Sequence, residues 1–316
     1  MKTNKLLASG AAIGLLGIVL GTFNINAADQ DQGTQTGRRH RTNNLSSTFT
    51  QASGAIGQIE RANKLIGRDV LGSDNQKLGK IDNIVVDLES GRVLYGVIGS
   101  GGVAGVGEKK RAVAPGVFQE TTDNTARLSI DKAKLEGAPE FTKDIDKDTE
   151  LGKAQFVNQV YQYFGQSAWW QGGAGSSASE GEFHNVHKAS DVIGMKVRNV
   201  SNEDMGKIDN LMINLPQGRI VYAILDPDRS LNLGKDLYAL PPNAFSLNTD
   251  RKTLTSDISK EKLAGAPHFA ANNWAQLADS SFASQVYQYY GKQAYFQTGS
   301  SSLEPTGREP NKTSNK

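Results

Sequence analysis

The chain has 316 residues, 37% of them hydrophobic and 7% aromatic, and a formal net charge of +2 at pH 7. This length suits two ordinary domains, and a net charge so close to zero argues against nucleic acid as a partner. No cysteine occurs in the sequence, which excludes disulfides, thiol nucleophiles and cysteine-ligated metals.

Residues 1–27 have the pattern of an export signal. Lys2 and Lys5 precede an apolar stretch from Leu6 to Leu20, and Ala27 offers a small residue at the cleavage position. Cleavage would leave a mature chain with a net charge of zero and no stable membrane span, in the periplasm or secreted. The alternative is an uncleaved anchor from Leu6 to Phe23, which would hold the protein on the same extracytoplasmic side.

Three polar segments separate or flank the apolar parts of the chain. Their richness in Gly, Ser, Gln, Asn and Thr predicts a disordered leader, a flexible linker and a disordered tail. These segments are residues 28–63, 172–190 and 298–316. The remaining residues, 64–171 and 191–297, are predicted to be the two folded domains.

The two domains are copies of one another. Residues 79–98 read GKIDNIVVDLESGRVLYGVI and residues 206–225 read GKIDNLMINLPQGRIVYAIL, with nine of twenty positions identical. A second pair of matching segments, QVYQYFG at 159–165 and QVYQYYG at 285–291, ends each copy. The chain is therefore a tandem duplication, and each copy needs a fold of about 107 residues.

Each copy begins with strand-like sequence. Apolar residues alternate from Ile84 to Leu88, Gly91 marks a short hairpin loop, and β-branched and aromatic residues resume at Val93. Short apolar runs interrupted by proline, such as the one around Pro115, are typical of barrel corners. Strands of this length and spacing predict a small antiparallel barrel.

Each copy ends with a change to helical periodicity. The first helix is predicted to present Phe156, Val160, Tyr163 and Phe164 as one stripe and to stop at Gly165. The second copy repeats the spacing with Phe282, Val286, Tyr289 and Tyr290 before Gly291. We expect this stripe to pack on the barrel. Stacking on a cofactor is the less common use of such a stripe.

The order of these signals resembles the PRC-barrel domain family. The residues that carry the resemblance are Ile66-Gly67, Gly79 to Asp82, Gly91 to Val93, Gly107 to Lys109 and Ala112 to Pro115, with counterparts in the second copy at Ile193-Gly194, Gly206 to Asp209, Gly218 to Ile220 and Leu240-Pro241. The second copy departs at the loop, where Asp226 to Arg229 replaces glycines.

This resemblance implies a mainly β fold with some helix. Two tandem small antiparallel PRC-type barrels are expected, each followed by an amphipathic helix and joined by a flexible linker. It also implies a binding or assembly module without chemistry of its own, similar to exported, often duplicated PRC-barrel proteins of the bacterial envelope.

The most closely repeated polar residues are Lys80, Asp82 and Asn83, which recur as Lys207, Asp209 and Asn210. A functional interpretation makes them a recognition strip that is used twice. The structural interpretation is that Gly79 and the Asp-Asn pair form a β-bulge, because without an extra residue Ile81 would not share a face with Ile84. The structural interpretation is favoured.

Two groups of residues are candidates for metal ligands. Asp144, Asp146 and Asp148 alternate as they do in a calcium loop, but the later positions of that loop are not matched, and an acidic cap on the following helix explains them as well. His184 and His187 could bind Zn²⁺ or Cu²⁺, but they fall in the predicted linker.

No Ser-His-Asp set or pair of catalytic acids occurs in both copies, so we expect no enzyme and no cofactor. The sequence predicts an exported, non-catalytic module that binds an unidentified envelope protein or complex through protein–protein contacts. The alternative is a periplasmic protein that binds a small ligand or a divalent metal at the residues named above.

Overall fold

The computed structural model describes residues 56–101, 108–120, 124–147, 149–167, 183, 185–248 and 251–294. The described residues of the two repeats form the same elements in the same order. Those of repeat 1 are β1 (Glu60–Arg61), α1 (Ala62–Leu65), β2 (Asp69–Leu71), β3 (Lys77–Asp87), β4 (Arg92–Ser100), β5 (Lys109–Val113), β6 (Phe118–Gln119), β7 (Ala126–Leu128), α2 (Lys132–Glu136) and α3 (Ala154–Tyr163).

Repeat 2 adds to this order one short strand, a 3-10 helix at Arg229–Leu231 and a longer 3-10 helix near its end. Its elements are β8 (Val186–Lys188), α4 (Ala189–Val192), β9 (Lys196–Asn199), β10 (Asp204–Asn214), β11 (Arg219–Pro227), β12 (Leu237–Leu240), β13 (Phe245–Leu247), β14 (Thr253–Ser256), α5 (Lys260–Ala264), β15 (His268–Phe269), a 3-10 helix at Trp274–Ala278 and α6 (Ser280–Tyr289).

The strands of repeat 1 pair in the order β6-β7-β2-β3-β4-β5, and those of repeat 2 in the order β13-β14-β9-β10-β11-β12. The two edge strands of each path are consecutive in the chain and are joined by a 3-10 turn, at Pro115–Val117 and Pro242–Ala244. The mainly β fold is confirmed. Purely antiparallel barrels are not confirmed, because β2 pairs with β7, and β9 with β14, in parallel.

The predicted β-bulge is present in both repeats. The register of β3 on β4 shifts between Ile81 and Asn83, and that of β10 on β11 shifts between Ile208 and Asn210. Gly79 begins this irregular stretch because a Cβ there would lie 2.1 Å from the carbonyl oxygen of Gly99. The identical GKIDN segments are therefore explained by backbone geometry.

The first strand of each repeat pairs with the other repeat. β1 pairs with β10, and β8 pairs with β3, both antiparallel. We call β1 with α1 (residues 60–65) the first arm and β8 with α4 (residues 186–192) the second arm. Each arm pairs with one long strand, β3 or β10. It covers the part of that strand's edge that extends beyond the pairing with β2 or β9.

Two sequence predictions are corrected by the arms. Residues 60–63 were assigned to the disordered leader and residues 186–190 to the flexible linker, but both segments form strand and helix. Their backbone partners come from the other repeat, so nothing in the neighbouring sequence signals a strand of only two or three residues. Both repeats lie within one compact unit, residues 50–316.

The central strands are buried on both faces. Every residue of β3 from Asn83 to Asp87 is buried, where alternation predicted one exposed face. The second face is covered because α4 packs on β3 and α1 packs on β10. The burial of both faces is therefore a consequence of the contact between the repeats.

The terminal helices α3 and α6 are amphipathic, as predicted. In α6 the predicted residues Phe282, Val286 and Tyr290 are buried and Tyr289 is exposed, whereas the stripe of α3 differs from the prediction. The buried residues of α3 are Phe156, Val157, Val160 and Tyr161, whereas Tyr163 and Phe164 are only partly buried. Tyr163 instead donates a hydrogen bond from its hydroxyl to the carbonyl oxygen of Lys134, at 2.7 Å. The stripe is part of the core of the repeat, as expected.

Candidate functional site

The surface with the densest set of repeated polar contacts lies between the repeats. We call it the inter-repeat seam: the two arms, the strands β3 and β10 that they cover, and the contact of β4 with β11. At its centre the amide of Val93 donates to the carbonyl oxygen of Gly218 at 3.0 Å, and the amide of Ile220 donates to that of Gly91 at 2.9 Å. These two bonds exchange the roles of equivalent residues in the repeats.

Asn83 and Asn210 anchor the arms. The Oδ1 atom of Asn83 accepts from its neighbour Ile84 at 3.0 Å and from the amide of Ser190 at 3.4 Å, and its Nδ2 donates to the Ser190 hydroxyl at 2.8 Å. Asn210 accepts in the same way from Leu211 at 3.1 Å and from Asn63 at 3.3 Å. Both side chains are buried, so this half of the predicted recognition strip holds the seam together.

A cation on each arm also reaches the other repeat. The guanidinium of Arg61 lies 4.6 Å from the ring centroid of Trp274 in repeat 2. The ammonium of Lys188, at the equivalent place on the second arm, lies 2.8 Å from Asp146 in repeat 1. A cation stacked on an aromatic ring and a partly buried ion pair both favour the docked arm.

The other half of the predicted strip lies at the surface. Lys80 and Lys207 are exposed, and Asp82 forms an ion pair with Lys110 at 2.7 Å. Asp209 faces a different environment, because Leu237 stands where repeat 1 has Lys110. Burial, and then the nearby charge of Asp226, raises the pKa of Asp209.

Asp87 and its counterpart Asn214 end the two long strands at the seam. Asp87 accepts hydrogen bonds from the Ser90 hydroxyl at 2.5 Å and the Glu89 amide at 3.3 Å. Burial nevertheless raises the pKa of this carboxyl. Asn214 is uncharged and donates to the carbonyl oxygen of Ile56 at 3.1 Å, so only repeat 1 buries a carboxyl here.

The candidate metal ligands do not come together among the described residues. Asp144 is exposed and pairs with Lys147 at 2.7 Å, and this hydrogen bond lowers the pKa of Asp144. Asp146 is engaged by Lys188. His187 was predicted in a flexible linker, but it lies in β8 and is 1% exposed. Asp148 and His184 lie outside the described residues. No group of three His, Asp or Glu that could hold a metal occurs in the described parts of the chain.

Two open grooves lie outside the central seam contacts. The larger one, about 640 Å³, runs between the Gly265–His268 segment and α6, where it is lined by Gln285, Gln288 and Tyr289. The other, about 420 Å³, lies beside the second arm and is lined by His187, Asp191 and Arg251 among others. Both are shallow depressions that open widely to solvent, not enclosed pockets.

Sequence reasoning missed the arms, although a signal exists. Residues 61–67 read RANKLIG and residues 188–194 read KASDVIG. Both contain a cation, alanine, two polar residues and then an aliphatic residue before Ile-Gly. Extending the repeat comparison upstream would have placed both segments inside the repeats.

Comparison with known families agrees with this extension. The model of the PRC-barrel domain matches residues 57–134 and 184–263, together half of the 316 residues. The chain belongs to the PRC-barrel domain family. Both matches begin before the arms, so the arms are part of each PRC-barrel domain. No curated protein matches the chain.

Proposed function

We propose that this protein is a non-catalytic binding or assembly module, in which two PRC-barrel domains act as one scaffold for a protein partner of the envelope. The observation that carries the proposal is the inter-repeat seam. Its polar residues, which were the best candidates for a repeated recognition strip, are used to fix one repeat on the other. A duplicated chain that joins its domains in this way presents two similar surfaces in a defined arrangement.

The exposed part of the strip is the surface that we propose for the partner. Lys80 and Lys207 project at equivalent places near the bulges, and both are more than half exposed. Asp82, which is paired with Lys110, and the partly buried Asp209 lie beside them, so the two lysines are the charged groups that this surface chiefly offers. Charged surfaces of this kind contribute mainly to partner choice and association rate.

Photo-crosslinking in cells tests the proposal. A photoreactive residue at position 80 should capture the same envelope protein as one at position 207, and Lys207→Glu in the first case or Lys80→Glu in the second should weaken the capture. Lys132→Glu is the matched control, because Lys132 is equally exposed on α2 and should leave the capture unchanged. If neither charge reversal changes the amount of captured protein, the proposed surface is wrong.

Export is proposed on the sequence of residues 1–27, which lie outside the described residues. Among the residues that the structure describes, no helix is long and apolar enough to cross a membrane. Mass spectrometry of the mature protein should find an N-terminus at Ala28 or within a residue or two. An intact Met1 in the membrane fraction would instead support the uncleaved anchor.

The alternative is a protein that binds a small ligand or a divalent metal. In this alternative, the open groove of about 640 Å³ beside α6 is the site proposed for a small ligand. A ligand at 100 times its dissociation constant stabilises the folded protein by about 2.7 kcal/mol, which raises the melting temperature by several degrees. Titrating Ca²⁺, Zn²⁺ and Cu²⁺ against thermal unfolding tests the metals. A shift lost in Asp146→Ala or His187→Ala would establish the alternative, provided that the apo variants melt as the wild type does.

A further inference from the structure

Each PRC-barrel domain of this chain is completed by a segment of the other. The arms leave their own repeats at Gly67 and Gly194, which adopt φ values of +86° and +92°. The amides of these glycines donate to Ile81 and Ile208 of their own repeats, both at 2.7 Å. The chain therefore turns sharply at a fixed point, and the residues before that point pack on the other repeat.

The seam is reciprocal. β1 on β10 matches β8 on β3, and the bond of Asn63 to Asn210 matches that of Ser190 to Asn83. A contact in which equivalent surfaces exchange roles is the isologous contact of a two-fold dimer. None of these bonds depends on the two repeats being in the same chain.

We propose that the seam is an assembly interface for a second copy of this chain. Repeat 1 of one chain pairs with repeat 2 of the other, and each arm docks on the other chain instead of its own. The exchanged dimer makes every seam contact of the single chain twice. This is domain swapping in which the exchanged segments are already displayed as arms.

The connection between repeats decides which form is populated. A connection of this length holds the two halves of an interface at an effective concentration on the order of mM. At micromolar concentrations the closed single chain therefore dominates. Folding at concentrations near the millimolar range, or shortening the connection, shifts the balance to the exchanged dimer.

Refolding of the full chain at two concentrations tests this proposal. Affinity-tagged and untagged chains are mixed in urea and refolded together at about 5 μM, far below the effective concentration, and at about 0.5 mM, which approaches it. At the higher concentration we expect a dimer on size exclusion and capture of untagged chain with tagged chain. At the lower concentration we expect monomer.

Two variants change only the connection. Inserting eight Gly and Ser residues there lowers the effective concentration, which falls roughly as the −3/2 power of length, and should raise the dimer fraction by up to about twofold. Deleting residues 173–180 should raise it several-fold, because the remaining residues span the closed arrangement less easily. Neither variant touches a described residue. Should the shortened chain fail to fold, the comparison of the lengthened chain with the wild type remains decisive.

Hydrogen exchange identifies the interface in the dimer. The amides of residues 84–88 and 211–215 should be as protected in the dimer as in the monomer, because the arms still cover β3 and β10. Monomer in all variants at the higher concentration would overturn the proposal. A dimer whose yield does not change with the length of the connection would also overturn it. A dimer in which these amides lose their protection would do the same.

Discussion

Removing the Asn83 side chain should destabilise both repeats together. Asn83→Ala removes two good hydrogen bonds, to the Ile84 amide at 3.0 Å and the Ser190 hydroxyl at 2.8 Å, and a longer one to the Ser190 amide at 3.4 Å. Losing a buried partner costs about 1–3 kcal/mol for a group left unsatisfied. Because some of these groups regain water when the arm loosens, we expect a loss of about 2–3 kcal/mol in the free energy of unfolding.

For a folded unit of this size, each kcal/mol lowers the melting temperature by about 2–4 °C, so the total decrease should be roughly 4–12 °C. Urea unfolding followed by circular dichroism and by tryptophan fluorescence measures the loss and shows whether one transition remains. Lys80→Ala is the control on the same strand, and its effect should stay within about 0.5 kcal/mol. An Asn83→Ala variant no less stable than Lys80→Ala would refute a stabilising role for the seam bonds.

Three further outcomes are expected. Burial raises the pKa of Asp87 above its ordinary value of 3.8. The stability that this carboxyl contributes is therefore complete below that value and is lost as the pH rises. Asp87→Asn, which copies Asn214, should stabilise the protein more at pH 7 than at pH 4 in urea unfolding. Ser256→Val should stabilise it by about 1–2 kcal/mol in the same assay, because the buried Ser256 hydroxyl has no hydrogen-bond partner among the described residues and borders a cavity of about 10 Å³. Repeat 1 has Leu128 at this place, and a loss of stability would mean that the site cannot hold the larger side chain. Limited proteolysis should cut first within residues 168–182, and the two fragments should elute together on size exclusion, whereas separate elution would show that the seam needs the connection.

The elements that could be predicted from the sequence are those specified by local signals. The hairpin at Gly91 and the bulge after Gly79 follow from turn chemistry and from the two-residue period of a strand. The terminal helices follow from apolar spacing and their glycine stops. The duplication supported each of these predictions, because both copies carry the same signals.

Half of the stripe predicted for α3 is wrong: Phe156 and Val160 are buried as predicted, but Val157 and Tyr161 complete the buried face in place of Tyr163 and Phe164. Tyr163 is only partly buried, and its hydroxyl reaches the end of α2 at Lys134. A tyrosine can satisfy its hydroxyl at the rim of a core while its ring still packs. Periodicity alone cannot distinguish that position from a fully buried one such as Tyr161.

The arms could not be derived from local signals, since a strand of two residues has no period. The arms are required by the length of β3 and β10, which extend beyond their neighbours β2 and β9. Without the arms, backbone donors and acceptors at these edges would be unpaired. Unpaired edges invite uncontrolled association, and proteins cover or shorten them. In a tandem duplication the nearest available cover is the start of the other copy. The same exchange that protects both edges also fixes the arrangement of the two surfaces that we propose for a partner.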